Sequence, residues 1–123
     1  MKRGDIFTVA AKGHYTGKPR PALVVQADLF SELPTVSICM FSSKNQAAPL
    51  LRLAVEPTLE NGLKKISQIM IDKITTIPKE NIGDFVGTLD ATTMIRIDRS
   101  LAVFLGIAKA PGRKAKTSKK IKG

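Results

Sequence analysis

Short apolar stretches separated by turn-forming residues dominate the first two thirds of the chain. Glycines, prolines and an Asn61–Gly62 pair fall between these stretches and mark turns. This regular punctuation predicts a mainly β fold, a small antiparallel barrel or sandwich of short strands. Five stretches have the length and composition of strands: DIFTVAA (5–11), PALVVQ (21–26), TVSICMF (35–41), LLRLAVE (50–56) and ISQIMIDKITTI (66–77).

The fifth stretch is the longest and most apolar, and Asp72–Lys73 interrupts it. A carboxylate in such a strand is either paired with a cation or functional, because burying it alone is costly. Pairing of Asp72 with Arg20 or Lys73 is compatible with a functional role. The fourth stretch alternates, which predicts one face in the core and one in water: Leu51, Leu53 and Val55 inward, and Arg52, Ala54 and Glu56 outward.

The end of the sequence has a different period. Apolar residues recur at spacings of three and four from Met94 through Ile97 and Leu101 to Leu105, which predicts one helix with this stripe in the core. Asp90 is the expected N-cap and Gly106 the expected C-cap.

Positive charge is concentrated at the C-terminus. The chain carries a net charge of +10, and residues 111–123 contain six lysines and arginines without an acid. With Ile121 as its one large aliphatic residue, this segment cannot offset its ordering entropy by burial. We therefore predict a domain over residues 1–109 and a disordered basic tail over 110–123, which either aids solubility or contacts phosphates without sequence preference.

Several classes of protein are disfavoured. The single cysteine, Cys39, predicts neither an internal disulfide nor a metal cluster, and no cofactor motif is present. The apolar runs are too short to span a membrane, and the charged N-terminus does not resemble a signal peptide. We expect a cytoplasmic protein.

Polar residues at strand ends are the candidates for chemistry. His14, Lys18 and Arg20 share the loop before the second strand, and Ser42, Ser43 and Lys44 follow the third. An arginine, a hydroxyl and a proton-transfer group would suit RNA cleavage by the 2′-hydroxyl of the RNA itself, in which the protein supplies positioning and charge stabilisation. Arginine matches two phosphate oxygens with its planar fork.

At these residues the sequence resembles the MazF/PemK family of toxin endoribonucleases from toxin–antitoxin systems, from Arg3 to about Leu105. Four segments in order carry the resemblance: the opening RGDIFTV, the loop and strand PRPALVVQ, the hydroxyl-ended FSSK, and GLKKISQIMIDKITTI. It implies an SH3-like barrel with a C-terminal helix, a homodimer, single-stranded RNA (mRNA) as substrate without a cofactor, and inhibition by a small antitoxin.

The resemblance also assigns roles to residues. Arg20 matches the family's loop arginine, Ser42 its third-strand threonine, Asp72 its later acidic residue, and His14 a histidine of some members. Arg20 is expected to stabilise the phosphate and Ser42 to donate a hydroxyl, with Asp72 or His14 for proton transfer. Expected RNA-binding residues are Lys18, Ser43, Lys44 and Lys73.

The chain also departs from the family pattern. Tyr15 and Thr16 replace a Glu-Gln pair, Lys73 stands where glutamine is frequent, and Thr75 stands where many members are basic. Two alternatives therefore stay open: a toxin of the same fold that inhibits DNA gyrase, and a nucleic-acid-binding barrel without catalytic activity.

Overall fold

The computed structural model describes residues 1–10 and 18–110, so His14 and the predicted tail lie outside the described residues, apart from Ala110. Seven strands and one helix form within these ranges. They are β1 (Asp5–Val9), β2 (Arg20–Val24), β3 (Thr35–Ser42), β4 (Arg52–Val55), β5 (Ser67–Met70), β6 (Thr75–Pro78), β7 (Ile82–Thr88) and α1 (Ala91–Phe104), with short 3-10 turns at Asp28–Phe30, Ile71–Lys73 and Lys79–Asn81.

All strand pairs are antiparallel, in the order β4-β5-β3-β2-β1-β7, and β6 also pairs with β3. Strand β3 therefore has two neighbours along one edge. Its first half, from Thr35 to Ile38, pairs with β6, whereas Phe41 and Ser42 pair with β5. The mainly β fold with a C-terminal helix is confirmed, although β6 and β7 do not pair in the described part of the chain, which leaves the sheet open.

The sheet has a buried apolar cluster on each face. One cluster draws side chains from β1, β2, β3, β6 and β7, so these five strands curl around it like a small barrel: Val9, Ala22, Val24, Val36 and Ile38, with Phe7, Met40, Ile77 and Ile82 against them. The other cluster fills the space between the β4–β5 hairpin and α1, and includes Leu23, Cys39, Phe41, Ile69, Ile71, Ile97 and Leu101.

The predicted helix and its N-cap Asp90 are confirmed, whereas the C-cap is Leu105, one residue before the predicted Gly106. The Asp90 carboxylate accepts hydrogen bonds from the Thr93 backbone N–H at 3.0 Å and from the Thr93 hydroxyl at 2.7 Å, with the hydroxyl bond first among the causes that lower the Asp90 pKa. Gly106 takes a φ of 78°, which favours glycine after a helix. The apolar stripe ends earlier than expected, because Leu105 is 55% exposed.

Two strand predictions were wrong. The fourth stretch does not place Arg52 in water: its side chain is 8% exposed and forms an ion pair with Asp72, so the partner of Asp72 is neither Arg20 nor Lys73. The fifth stretch forms two strands, because the chain turns at Ile71–Lys73. Before the turn, β5 pairs with the end of β3, and after it, β6 pairs with the first half of β3. Strand β7 was not predicted at all.

Candidate functional site

A cleft of about 550 Å³ opens where β2 begins and β3 ends. Four of the side chains that line it are cationic and, within the described part of the chain, none is acidic. The lining residues are Thr8, Lys18, Pro19, Arg20, Pro21, Phe41, Ser43, Gly62, Leu63, Lys64, Lys65, Ser67 and Val86. Such a concave, positively charged surface concentrates anionic ligands.

Arg20 and Ser42 lie at the same end of the sheet, on the adjacent strands β2 and β3. The paired residues of these strands run from Val24–Ile38 to Ala22–Met40, so Arg20 at the start of β2 and Ser42 at the end of β3 each lie two residues beyond the last pair. Arg20 lines the cleft, whereas the lining residues at the end of β3 are Phe41 and Ser43 and not Ser42.

Backbone contacts hold this end of the sheet in place. Arg20 pairs with Val9 of β1, and Ser42 pairs with Gln68 of β5. The Ser42 hydroxyl oxygen accepts a hydrogen bond of 3.1 Å from the Lys44 backbone N–H. The hydroxyl proton of Ser42 stays available to donate to a ligand, because that bond uses the oxygen only as an acceptor.

The second wall of the cleft is the segment that follows the Asn61–Gly62 turn. Lys64 and Lys65 are exposed on it, and Ser67 begins β5 directly after it. Sequence reasoning did not select these three residues. The available signal was a lysine pair directly after a turn, which is more often only a solvated surface.

The other predicted site residues are distributed unevenly. Lys18, Arg20 and Ser43 line the cleft, and Lys44 is exposed one residue further along the chain. Asp72 is held by Arg52 on the 3-10 turn, where its neighbour Lys73 is exposed. Asp72, Lys73 and the predicted hydroxyl donor Ser42 are not among the lining residues.

Two further features bear on the chemistry. Burial raises the pKa of the Cys39 thiol to about 11, which keeps the thiol protonated and makes it a poor nucleophile at neutral pH. Across residues 1–10 and 18–110, no group of three or more His, Cys, Asp or Glu side chains could hold a metal ion.

Helix α1 is too short to cross a membrane, and no other helix of the described ranges is long and apolar enough to do so.

Residues 2–105 match the model of the family described as the PemK-like, MazF-like toxins of type II toxin–antitoxin systems. The match covers most of the chain, so this chain belongs to that family. The family predicted from the sequence is confirmed.

Curated relatives and solved structures are similar to this chain over most of its length. The chain is 51% identical over 108 residues to a probable endoribonuclease MazF of Mycolicibacterium smegmatis, covering 88% of this chain and 99% of that protein. It is 28% identical over 111 residues to endoribonuclease EndoA of Bacillus subtilis, covering 87% and 96%. A mycobacterial endoribonuclease solved in complex with its cognate antitoxin superposes with a TM-score of 0.73 at 22% identity, covering 89% of this chain and 99% of that one. A MazE–MazF structure from Deinococcus radiodurans gives 0.72 at 15%, covering 88% and 98%.

Proposed function

We propose that this protein is an endoribonuclease toxin that cleaves single-stranded RNA at short sequences by attack of the RNA's own 2′-hydroxyl. The 2′-oxygen bonds to the adjacent phosphorus while the bond to the 5′-oxygen breaks. The products are a 2′,3′-cyclic phosphate and a 5′-hydroxyl. The pathway needs a base for the 2′ proton, an acid for the leaving oxygen, and charge stabilisation at phosphorus.

The observation that carries the proposal is the position of Arg20 on the wall of a cleft whose charged lining residues, in the described ranges, are all cations, with Ser42 between the lining residues Phe41 and Ser43 in sequence. The Arg20 guanidinium can hold two phosphate oxygens with its fork, and the Ser42 hydroxyl can donate to a third. Because both residues lie in paired strands, their backbones are positioned before the substrate binds. Such preorganisation is what stabilisation of a developing charge requires.

Proton transfer is assigned to His14, with Asp72 as the second candidate. Histidine titrates near neutral pH, whereas an ordinary aspartate is a poor base there. The ion pair of Asp72 with Arg52 also gives that carboxylate a structural reason to be present. We therefore rank His14 first.

The partner of the proposed toxin is an acidic antitoxin segment. A cleft with Lys18, Arg20, Lys64 and Lys65 on its walls offers complementary charge to such a segment, which would compete with RNA. One mycobacterial protein of the same fold is described as bound to its cognate antitoxin. We further propose that the protein acts as a homodimer in the cytoplasm, where mRNA is found.

The experiment is Arg20→Lys, with Arg99→Lys on the exposed side of α1 as the control for the same chemical change. Arg20→Lys keeps the charge but removes the fork, so kcat should fall by roughly 10²–10³, in analogy with loss of one oxyanion donor. Arg99→Lys should cleave like the unmodified protein. Near-normal kcat in Arg20→Lys would remove Arg20 from the reaction.

A second measurement addresses the reaction class. Cleavage of unstructured RNA should persist in excess EDTA, because cations of the chain can offset the phosphate charge. A parallel assay with gyrase and plasmid tests the alternative toxin class. Gyrase inhibition without RNA cleavage would favour that class, and RNA binding without turnover would favour a non-catalytic barrel.

A further inference from the structure

We propose that Lys64 and Lys65 form a second phosphate subsite, which binds a backbone phosphate adjacent to the one held by Arg20. This inference rests on the proposed function, since it extends the same cleft. The ligand class is a single-stranded polyanion with at least two consecutive phosphates. The subsite would contribute to binding of the substrate and not to the chemical step.

The position of the two lysines supports the proposal. They line the wall of the cleft formed by the segment before β5, whereas Lys18 and Arg20 belong to the segment that enters β2. The volume of about 550 Å³ lies within the range of roughly 300–1,000 Å³ that is usual for small-molecule sites. Because each of the two segments carries cations, an RNA chain that runs across the cleft would contact cations of both.

The segment before the lysines is rigidly held. Asn61 is 2% exposed, and its side-chain oxygen accepts hydrogen bonds from the backbone N–H groups of Thr58 at 3.0 Å and Leu63 at 2.9 Å. Its amide nitrogen donates to the Glu56 carbonyl at 2.9 Å. A buried amide that satisfies three backbone groups of one loop fixes the path of that loop up to Leu63, directly before the lysines.

Glycines let this loop approach β7 closely. Gly62 has a φ of +69°, and a Cβ there would stand 2.1 Å from the Val86 carbonyl oxygen. A Cβ on Gly87 would stand 2.4 Å from backbone atoms of Glu60 and Asn61. The Asn61 hydrogen bonds and the close packing against β7 thus fix the loop, so the backbone before the lysines is rigid although their side chains are flexible.

The charges of the two lysines have no other visible use. Neither lysine forms an ion pair within the described ranges, and both are exposed in a cleft that already contains Lys18 and Arg20. Four cations that face one cleft repel each other until an anion enters. A single phosphate at Arg20 would leave the lysine pair without a counter-charge, which a second phosphate supplies.

The test measures binding, so that it is independent of catalysis. The variant is Lys64→Gln/Lys65→Gln, and the matched control is Lys2→Gln/Lys109→Gln, which removes the same charge from exposed positions outside the cleft. The probe is a mixed-sequence 2′-O-methyl RNA 12-mer, which cannot be cleaved because the attacking hydroxyl is blocked. A second version carries neutral methylphosphonates at all linkages but one.

For the fully charged probe, fluorescence anisotropy should show Kd raised roughly tenfold by Lys64→Gln/Lys65→Gln, the lower end for a charge-assisted hydrogen bond. The slope of log Kd against log salt should fall by about 0.7, the value for one phosphate contact on a single strand. The control pair should change Kd much less. With the single-phosphate probe, the variant and the unmodified protein should bind equally.

Equal effects of the two lysine pairs would overturn the subsite, because the loss would then be one of general charge. Weaker binding of the single-phosphate probe by the Lys64→Gln/Lys65→Gln variant than by the unmodified protein would also overturn the subsite. The proposed function fails on a different result, namely absence of RNA cleavage by the unmodified protein. The two failures are therefore distinguishable.

Discussion

The Arg52–Asp72 ion pair gives the sharpest test of how this fold is stabilised, through the substitution Asp72→Asn. Arg52 stands in β4 opposite Met70, and Asp72 stands in the 3-10 turn that ends β5. Arg52 Nη1 donates to Asp72 Oδ1. The pair therefore joins the hairpin to the turn that redirects the chain into β6.

The expected magnitude follows from the exposure of the two side chains, 8% for Arg52 and 28% for Asp72. Removing one partner of a fully buried pair costs about 3–5 kcal/mol, because the other charge stays buried without compensation. Water reaches Asp72 in part, so we expect about 2–3 kcal/mol. For a domain of this size the midpoint of thermal unfolding should fall on the order of 10–20 °C.

The assay is thermal and urea unfolding of Asp72→Asn, Arg52→Met and the double variant, with RNA cleavage measured on the same preparations. The double variant should be less destabilised than the two single losses together, because no unpaired buried charge remains. The kcat per folded molecule should stay near that of the unmodified protein. Asp84→Asn, at an exposed position of β7, is the matched control.

One result would refute this reasoning. If Asp72→Asn melts near the unmodified protein and loses kcat by orders of magnitude, then Asp72 transfers a proton and the ion pair contributes little to the fold. Asp72 would then replace His14 as the first candidate for proton transfer.

Three further predictions concern other parts of the chain. Asp90→Ala should destabilise the domain by about 1 kcal/mol through loss of the N-cap; because the folded-state pKa of Asp90 is lowered from 3.8, this difference should be present at neutral pH and vanish as the pH falls through that lowered pKa. Cys39, with its pKa raised to about 11, should react with thiol reagents only as fast as the domain opens, and rapid labelling of native protein would contradict its burial. Removal of residues 111–123, with their six cations, should weaken RNA binding equally for all sequences and flatten its salt dependence, and a changed cleavage site would contradict that.

Elements with local signals could be predicted from the sequence. The helix was correct because its cap, its period and its final glycine are all written within about 17 residues. Strand β7 was missed because Gly83 and Gly87 weaken its strand pattern. The reason for Gly87 is not local: its backbone lies against Glu60 and Asn61, which are far away in sequence.

Alternation of polar and apolar residues failed where a charge was buried with a partner. Arg52 occupies an outward position of the alternating pattern, yet it is buried because Asp72 lies within reach after the chain turns. A pattern of alternating polar and apolar residues cannot indicate that two residues 20 positions apart contact each other. Of the two alternatives for Asp72, a cation partner or a functional role, the structure shows the first, but with Arg52 in place of Arg20 or Lys73, and that choice of cation depends on the topology.

In the candidate site too, some residues could be selected from the sequence and others depend on the folded topology. Arg20 and Ser42 were selected as polar residues at strand ends to which the resemblance assigns roles, and the structure places Arg20 on the wall of the cleft. Lys64 and Lys65 were missed because their place in the cleft depends on how Asn61 and Gly62 anchor the loop.

The two walls of the cleft depend on different parts of the fold, and this separates chemistry from binding. Arg20 begins β2 and Ser42 ends β3, and both strands contribute to the barrel cluster. Lys64 and Lys65 instead precede β5 of the hairpin that contains Arg52, the partner of Asp72. Changes that loosen the hairpin should therefore raise KM more than they lower kcat, because Arg20 pairs with Val9 of β1. A smaller loss of kcat is expected through Ser42, which pairs with Gln68 of the hairpin strand β5. Changes at the barrel end should lower kcat first, because Arg20, the proposed ligand of the reacting phosphate, lies there. A hairpin variant that lowers kcat as much as Arg20→Lys would show that the two walls act as one unit.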